Sequence, residues 1–207
     1  MNKSLTGTEV IKLIPWDVGM IIYPQIQEFE TIDDLLGENG CCFLLFETER
    51  DNGMHIGHWT CLVKSVDDEN NSSINFYDSY GFKPDDQKKR IDKNFMDMID
   101  MRDNFLTELL YKASNEFDDV VEYNEKRQQN MKKGINTCGR WACLRILMKD
   151  ISMNEFQKFI NYLRFKYNQN LDKMVVNMTD PVLKDQMDST QFHDFLRDLY
   201  AEYRNSS

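Results

Sequence analysis

The spacing of apolar residues changes along the chain, and this change predicts strands early and helices late. The stretch 41–46 is apolar and aromatic-rich, as is typical of a short strand that is buried on both faces. Two further strand-like stretches, 58–66 and 74–80, are separated by a polar segment at 67–73, which predicts an antiparallel hairpin. A last short strand is predicted at 120–123.

Apolar residues at helical spacing predict helices on both sides of these strands. Thr6 and Thr31 each precede such a group, which predicts two short N-terminal helices, the first with a capping box. The charge-rich stretch 84–118 predicts one or two amphipathic helices. Ser152 begins a second capping box before another helix, and a last helix is predicted around residues 192–200.

The helix that is predicted to begin at Cys138 is apolar on nearly all sides. Trp141 and Leu144 lie on one face and smaller apolar residues fill the others, so this helix belongs in the core. Asn136 or Thr137 is expected to cap its first turn, because either side chain can accept a hydrogen bond from an unpaired backbone amide. With strands clustered early and helices late, the predicted class is α+β.

Composition limits the kinds of protein that the chain can be. Its 207 residues, of which 41% are hydrophobic, can bury one sizeable core, so one domain over residues 1–207 is predicted, as a monomer. The net charge of −10 argues against nucleic-acid binding and favours polypeptide partners. No apolar run approaches the roughly 18 residues that cross a bilayer, and no leader is recognisable, so neither membrane anchoring nor secretion is expected.

Cysteine usage indicates a reducing compartment. The chain has five cysteines, an odd number. Four of them lie among apolar neighbours, where a reduced cysteine serves as a small core residue: Cys41, Cys42, Cys61 and Cys143. An intracellular location is therefore expected. No cysteine or histidine spacing matches a zinc site, so no metal is expected.

Cys138 has the surroundings that a nucleophilic thiol requires. It follows a polar stretch and is placed at a helix N-terminus, where the helix dipole stabilises a thiolate. The next residue is Gly139, and its missing side chain would let a substrate backbone approach the sulfur closely. The alternative is a buried structural cysteine at a helix start, which is the more common case for a lone Cys-Gly pair.

A base for this thiol must come from three histidines. His55 is flanked by glycines, His193 lies in the terminal helix, and His58 is placed at the start of a strand. The hairpin would bring Asp78 beside His58, where a carboxylate fixes the tautomer and stabilises the imidazolium. Taken alone, His58 would be structural or exposed, and Asp78 would be a turn residue before Gly81.

Three motifs occur in a fixed order: Gly57-His58-Trp59, then Tyr77-Asp78-Ser79-Tyr80-Gly81-Phe82, then Asn136-Thr137-Cys138-Gly139-Arg140-Trp141. Over residues 41–150, this order and spacing resemble those of the adenovirus protease (adenain) family and of the SUMO-specific proteases. The resemblance implies a papain-like or adenain-like cysteine protease fold, in which a small mixed sheet packs against a central helix that carries the nucleophile, with further helices around it. It also implies a catalytic triad of Cys138, His58 and Asp78.

The same resemblance implies two further features of the site. In that family a glutamine before the cysteine joins the cysteine backbone amide in an oxyanion hole. The available residues are Gln128, Gln129 and Asn130, with Gln129 preferred and an intervening loop two or three residues longer than usual. Solvated loop glutamines are the alternative. Trp59, which packs on the catalytic histidine in the family, and Gly139 are expected at the substrate cleft.

The implied activity is that of a thiol endopeptidase without a cofactor. Family members cleave after Gly or Gly-Gly, and viral members process capsid or core precursors, so a viral structural precursor in the host cytoplasm, virus factory or virion is the expected substrate. Two alternatives remain. The first is a protease that removes ubiquitin-like modifiers, and the second is a non-catalytic binding protein on the same fold.

Overall fold

The computed structural model describes residues 3–66, 72–117 and 119–206. Five strands form one sheet in the order in which they occur along the chain: β1 (Gly19–Ile22), β2 (Cys41–Asp51), β3 (Met54–Val66), β4 (Ser72–Tyr77) and β5 (Val120–Tyr123). The inner pairs are antiparallel and the two outer pairs are parallel. The predicted β3–β4 hairpin is therefore confirmed, although residues 67–71 of its polar segment lie outside the described residues.

Helices surround this sheet: α1 (Gly7–Lys12), α2 (Ile32–Leu36), α3 (Lys93–Met98), α4 (Phe105–Glu116), α5 (Cys138–Leu147), α6 (Met153–Tyr167), α7 (Leu171–Leu183) and α8 (Ser189–Ser206). Two 3₁₀ helices, Tyr23–Glu28 and Asp86–Arg90, lie between the longer elements. The predicted α+β class is correct, with a mixed sheet and helices both before and after it.

Apolar side chains of the sheet are buried on both faces. Along β2, Phe43 and Leu45 join the core beside α5, while Leu44 and Phe46 join the core beside α4. This alternation follows from the pleat, which turns successive side chains to opposite faces. Every residue of α5 is buried, as predicted for a helix that is apolar on all sides. Helix α5, which begins at Cys138, thus packs directly on the sheet.

The predicted capping residues behave in different ways. Thr6 accepts a hydrogen bond from the Glu9 amide, and the Glu9 carboxylate accepts one from the Thr6 amide, so this capping box is complete. The predicted side-chain cap of α5 is not formed by Thr137. This residue occupies the N-cap position, but its hydroxyl makes no capping bond and donates to Asp172 at 2.6 Å.

Among the strands and α-helices, two elements were not predicted from the sequence. Strand β1 has four residues, too few to show a period, and it forms because β2 offers an open edge for parallel pairing. Helix α7 contains Pro181, a residue that argues against a helix interior. The proline lies in the last turn, two residues before α7 ends at Leu183, so the bond that it removes is close to the end of the helix.

No helix in the described part of the chain combines the length and hydropathy that a bilayer span needs. Within the same residues, no three metal-ligating side chains of the Cys, His, Asp or Glu type cluster around a common point.

Candidate active site

Cys138 is the first residue of α5 and is 6% exposed. Burial alone raises the pKa of a thiol, but the charge of His58 and a hydrogen bond with it lower the pKa of Cys138 below its usual value. The backbone amides of Trp59 and Gly139 also donate hydrogen bonds to the sulfur and lower its pKa further. The site therefore favours the thiolate.

The pKa values of the other four cysteines are shifted in the opposite direction. All five are free thiols in buried positions. Burial raises the pKa of each of the remaining four: Cys41, Cys42, Cys61 and Cys143. Among the five cysteines, all of which the structure describes, Cys138 is thus the one whose pKa is lowered.

His58 lies between the thiol and a carboxylate. Its Nε2 atom is 3.0 Å from Oδ1 of Asp78, which leaves Nδ1 as the nitrogen that meets Cys138. Burial lowers the pKa of the ring, but the charges and hydrogen bonds of Asp78 and Cys138 raise it to about 10. The imidazolium and the thiolate therefore stabilise each other. His58 is inside β3, four residues after its first residue Met54, rather than at the start of a strand as predicted.

Asp78 follows β4 at the beginning of a tight turn. Its carbonyl accepts a hydrogen bond from the Gly81 amide, and Gly81 has the positive φ of 76° that the turn requires. Its Oδ1 accepts from the Tyr80 amide at 2.7 Å as well as from His58. Asp78 is thus a turn residue that also lies beside His58, because the turn directs the carboxylate towards the histidine. Its catalytic role stays a prediction.

Two side chains that sequence reasoning missed support this arrangement. Tyr80 stacks on the His58 ring, with centroids 4.6 Å apart and an interplanar angle of 11°. Asn124, which is fully buried after β5, bonds to both backbone polar groups of Asp78, at 2.8 Å to the amide and 2.6 Å to the carbonyl. Tyr80 is in the same sequence motif as Asp78, and its position two residues after Asp78 could have predicted that it lies near His58. The position of Asn124 had no such signal.

Trp59 and Gly139 pack against each other in the interior. The Trp59 indole donates to the Leu5 carbonyl at 2.9 Å. A Cβ at Gly139 would lie 3.0 Å from Val10, 3.1 Å from Trp59 and 3.3 Å from Leu5. A side chain here would therefore crowd the chain's own N-terminal segment, a reason for glycine that the sequence did not indicate. The predicted role of both residues at the substrate cleft stays a prediction.

The Gln129 side chain is 1% exposed and lies beside the turn that begins at Asp78. Its Oε1 accepts from the Ser79 hydroxyl at 2.7 Å, and its Nε2 donates to the Tyr80 hydroxyl at 3.2 Å and to the Ile135 carbonyl at 3.0 Å. A carbonyl oxygen can only accept, so the contact with Ile135 fixes which end of the amide is nitrogen. Gln129 is not a solvated loop residue, and its role in an oxyanion hole stays a prediction.

The two neighbours of Gln129 point elsewhere. The Gln128 oxygen lies 3.4 Å from the Tyr77 hydroxyl and 3.4 Å from the Asn124 amide nitrogen. Asn130 is exposed, and its backbone amide donates to Asp172 at 3.0 Å.

The remaining histidines have other partners. His55, three residues before His58 on β3, has Nδ1 at 2.9 Å from the buried Glu47 carboxylate. His193 on α8 packs edge-on against Trp16, with ring centroids 5.1 Å apart.

The structure thus defines an α+β protein in which a cysteine, a histidine and an aspartate meet at a helix N-terminus. No protein-family model matches the chain. The chain is 33% identical over 176 residues to uncharacterized protein V9 of Sputnik virophage, which covers 85% of this chain and 94% of the relative. The chain therefore belongs to the family of that virophage protein.

Among solved structures, the central domain of the uncharacterized Lpg1148 protein from Legionella pneumophila aligns with 95% of this chain and 99% of its own. The TM-score is 0.35 and the sequence identity is 12%. A similarity this low supports no conclusion about fold family or function.

Proposed function

We propose that the protein is a cysteine endopeptidase of the adenain-like type, with Cys138 as nucleophile, His58 as general acid and base, and Asp78 as the group that orients His58. The observation that carries this proposal is the His58 ring, which lies 3.0 Å from Asp78 and is hydrogen-bonded to a thiol whose pKa is lowered. A structural cysteine at a helix start would need neither the ion pair nor the buried carboxylate behind it.

The arrangement suits acyl transfer. The Cys138 thiolate attacks a peptide carbonyl and forms a tetrahedral intermediate. Protonated His58 then gives its proton to the leaving amine, the C–N bond breaks, and a thioester remains on Cys138. Neutral His58 takes a proton from water as that water attacks the thioester, which releases the acid and restores the thiolate and the imidazolium. These steps require no cofactor.

The packing of α5 on the sheet supports the adenain-like form of this proposal. The helix presents Cys138 at its N-terminus, while β3 supplies His58 and the turn after β4 supplies Asp78. This is the distribution of triad residues that the resemblance implies.

A viral structural precursor is the substrate that we favour. The chain belongs to the family of a virophage protein, and the resemblance implies cleavage after Gly or Gly-Gly. On this proposal the partner is a polypeptide, and the enzyme acts as a monomer in the reducing interior of an infected cell, or within the particle.

The test is hydrolysis of a panel of Gly-Gly-x peptides by the purified chain, with and without prior iodoacetamide treatment. We expect cleavage by the wild type, its loss after alkylation and its loss in Cys138→Ala. Cys143→Ala, on the same helix, is the matched control and should stay active, because the pKa of that thiol is raised by burial. Cleavage that survives in Cys138→Ala would refute the proposal.

A second arm of the same experiment separates the alternatives. Reaction of Cys138 with a ubiquitin-like vinyl sulfone, together with failure to cleave the peptides, would favour the removal of modifiers. A Cys138 that neither cleaves peptides nor reacts with iodoacetamide would favour a non-catalytic binding protein.

A further inference from the structure

The Asp172 carboxylate, in the first turn of α7, bonds to the loop that leads to Cys138 at two points. Its Oδ1 accepts from the Thr137 hydroxyl at 2.6 Å, and its Oδ2 accepts from the Asn130 amide at 3.0 Å. The residue is 5% exposed, although it lies on a helix that carries no motif. A buried carboxylate whose two oxygens both accept hydrogen bonds from one loop is well suited to fix the conformation of that loop.

The two contacts fall next to the two groups that matter for an oxyanion. Thr137 directly precedes the backbone amide of Cys138, and Asn130 directly follows Gln129. Under the proposed function, the Cys138 backbone amide and the Gln129 side chain are the two donors to the developing negative charge. Asp172 therefore bonds to the chain one residue away from each donor.

The loop between those points is closed by a third bond. The Gln129 amide donates to the Ile135 carbonyl at 3.0 Å, so the loop folds back on its own start. The other fixed points are the Gln128 and Gln129 backbone amides, which both donate to the Ser79 carbonyl beside the Asp78 turn. The loop is therefore attached at two places: Gln128 and Gln129 bond to the turn that begins at Asp78, and Asn130 and Thr137 bond to Asp172.

We propose that Asp172 is a positioning residue. It holds loop 130–137 so that the distance between the Gln129 side chain and the Cys138 backbone amide stays fixed. This inference rests on the proposed function, because it concerns the oxyanion side of that site. Asp172 itself does not touch the reacting atoms. Through this one residue, α7, a helix without any recognisable motif, contributes to the geometry of the site.

The main variant is Asp172→Ala, which removes both contacts. We expect kcat for a cleaved peptide to fall about 10- to 100-fold, since misplacing a catalytic group by 1 Å costs up to about 100-fold. KM should stay within about threefold, because the lost interaction acts on the transition state. The rate of Cys138 alkylation should also stay within about threefold, because that rate depends on the contact with His58 and not on the loop.

Two further variants separate positioning from simple loss of structure. In Asp172→Asn, the amide oxygen can accept from Asn130 and the amide nitrogen can donate to Thr137, so most of kcat should return. Thr137→Val removes one contact while keeping the shape of the side chain, and should give an intermediate loss. Asp180→Ala is the matched control: Asp180 is also a carboxylate on α7, but it pairs with Arg140 at 2.8 Å and touches no part of the loop.

A second measurement does not depend on activity. Amide hydrogen exchange in the segment 130–137 should be faster in Asp172→Ala than in the wild type and unchanged in Asp180→Ala, because the Asn130 amide loses its acceptor. Wild-type turnover in Asp172→Ala, or an equal loss in Asp180→Ala, would overturn the proposal. So would a loss of Cys138 alkylation that accompanies the loss of turnover.

The two proposals fail in distinguishable ways. If the wild type neither cleaves peptides nor alkylates at Cys138, the proposed function fails, and the exchange comparison still decides whether Asp172 holds the loop. If exchange is unchanged in Asp172→Ala, the positioning proposal fails whatever the activity of the wild type.

Discussion

Asn124 holds the backbone of Asp78 in the way that a neighbouring strand would. Its Oδ1 accepts from the Asp78 amide at 2.8 Å, and its Nδ2 donates to the Asp78 carbonyl at 2.6 Å. Strand β5 pairs with β4 only as far as Tyr123 and Phe76, so the Asn124 side chain continues the pairing where the strand ends. The orientation of the Asp78 carboxylate towards His58 therefore depends on a residue that does not touch the histidine.

Replacement of this side chain should weaken the His58 ion pair. In Asn124→Ala, two buried backbone groups of Asp78 lose their partners, which costs about 1–3 kcal/mol of unfolding free energy for each unsatisfied group. A displaced Asp78 stabilises the imidazolium less, so the alkylation profile of Cys138 should move to higher pH. The matched control is Asn75→Ala: Asn75 is also fully buried but bonds to Ser65, Ser73 and Arg145 and not to Asp78, so only stability should change. Equal profiles for the two variants would contradict the assigned role.

The pH dependence of the site follows from the opposed pKa shifts of Cys138 and His58. The pKa of Cys138 is lowered, so its thiolate persists below the pH at which an ordinary thiol is protonated. At pH 6, iodoacetamide should label Cys138 at least about 100-fold faster than the other four cysteines, which burial keeps as thiols. Mass spectrometry of the labelled peptides measures this. In His58→Ala the burial effect remains without the opposing charge, so labelling at pH 6 should be lost.

The pH range of turnover should be limited on both sides by the ion pair of Cys138 and His58. On the acid side it should fall as the thiolate is protonated, at a pH below the usual thiol range. On the alkaline side it should fall near pH 10, because the pKa of His58 is raised to about 10 and the neutral ring cannot protonate the leaving amine. A peptidase activity that rises steadily beyond pH 10 would be incompatible with this ion pair.

The resemblance carried by the order of the three motifs predicted which residues meet, and local pattern predicted the element on which each of them lies. Cys138 begins a helix, His58 lies in a strand and Asp78 begins a turn, so each has a signature within a few residues of itself. The central strands and the buried helix were predictable for the same reason, since their apolar pattern reflects burial directly.

The supporting residues had no such signature. Asn124 and Asp172 act through bonds to backbone atoms 46 and 42 residues away, and an isolated asparagine or aspartate does not reveal such a partner. The close packing of Gly139 against the N-terminal segment was not predicted, because the sequence cannot show that this segment folds back over α5. Long-range packing, rather than local propensity, decides all three positions.

Gly57 directly precedes His58 and should not tolerate a side chain. A Cβ there would lie 2.1 Å from the Phe46 carbonyl oxygen, at the point where the β2–β3 register shifts. Gly57→Ala should therefore lower the free energy of unfolding by about 1–3 kcal/mol and displace the histidine, with loss of turnover. Gly19→Ala in β1 is the control, because its Cβ would lie 3.5 Å from Cys42, an ordinary contact. Thermal unfolding of both variants measures the difference, and equal midpoints would contradict the expectation.

The donor to the oxyanion can be identified by substitution of Gln129. If the donor is Gln129, Gln129→Ala should lower kcat by about 10²–10³-fold with little change in KM, because the interaction exists only in the transition state. The change also leaves the Ser79 hydroxyl and the Ile135 carbonyl without partners, so a stability cost of about 1–3 kcal/mol is expected and must be measured beside the kinetics. Gln128→Ala and Asn130→Ala should stay close to wild-type turnover.

The variant Tyr80→Phe tests whether the oxyanion donor is the Gln129 amide or the Tyr80 hydroxyl. In the structure both amide hydrogens of Gln129 have acceptors, and the longer bond, at 3.2 Å, goes to the Tyr80 hydroxyl. Tyr80→Phe removes that acceptor and frees one amide hydrogen for the oxyanion, while it keeps an aromatic ring to stack on His58. Turnover should therefore stay within about threefold of the wild type, or rise. A loss as large as that of Gln129→Ala would instead identify the Tyr80 hydroxyl as the donor, with Gln129 serving to orient it.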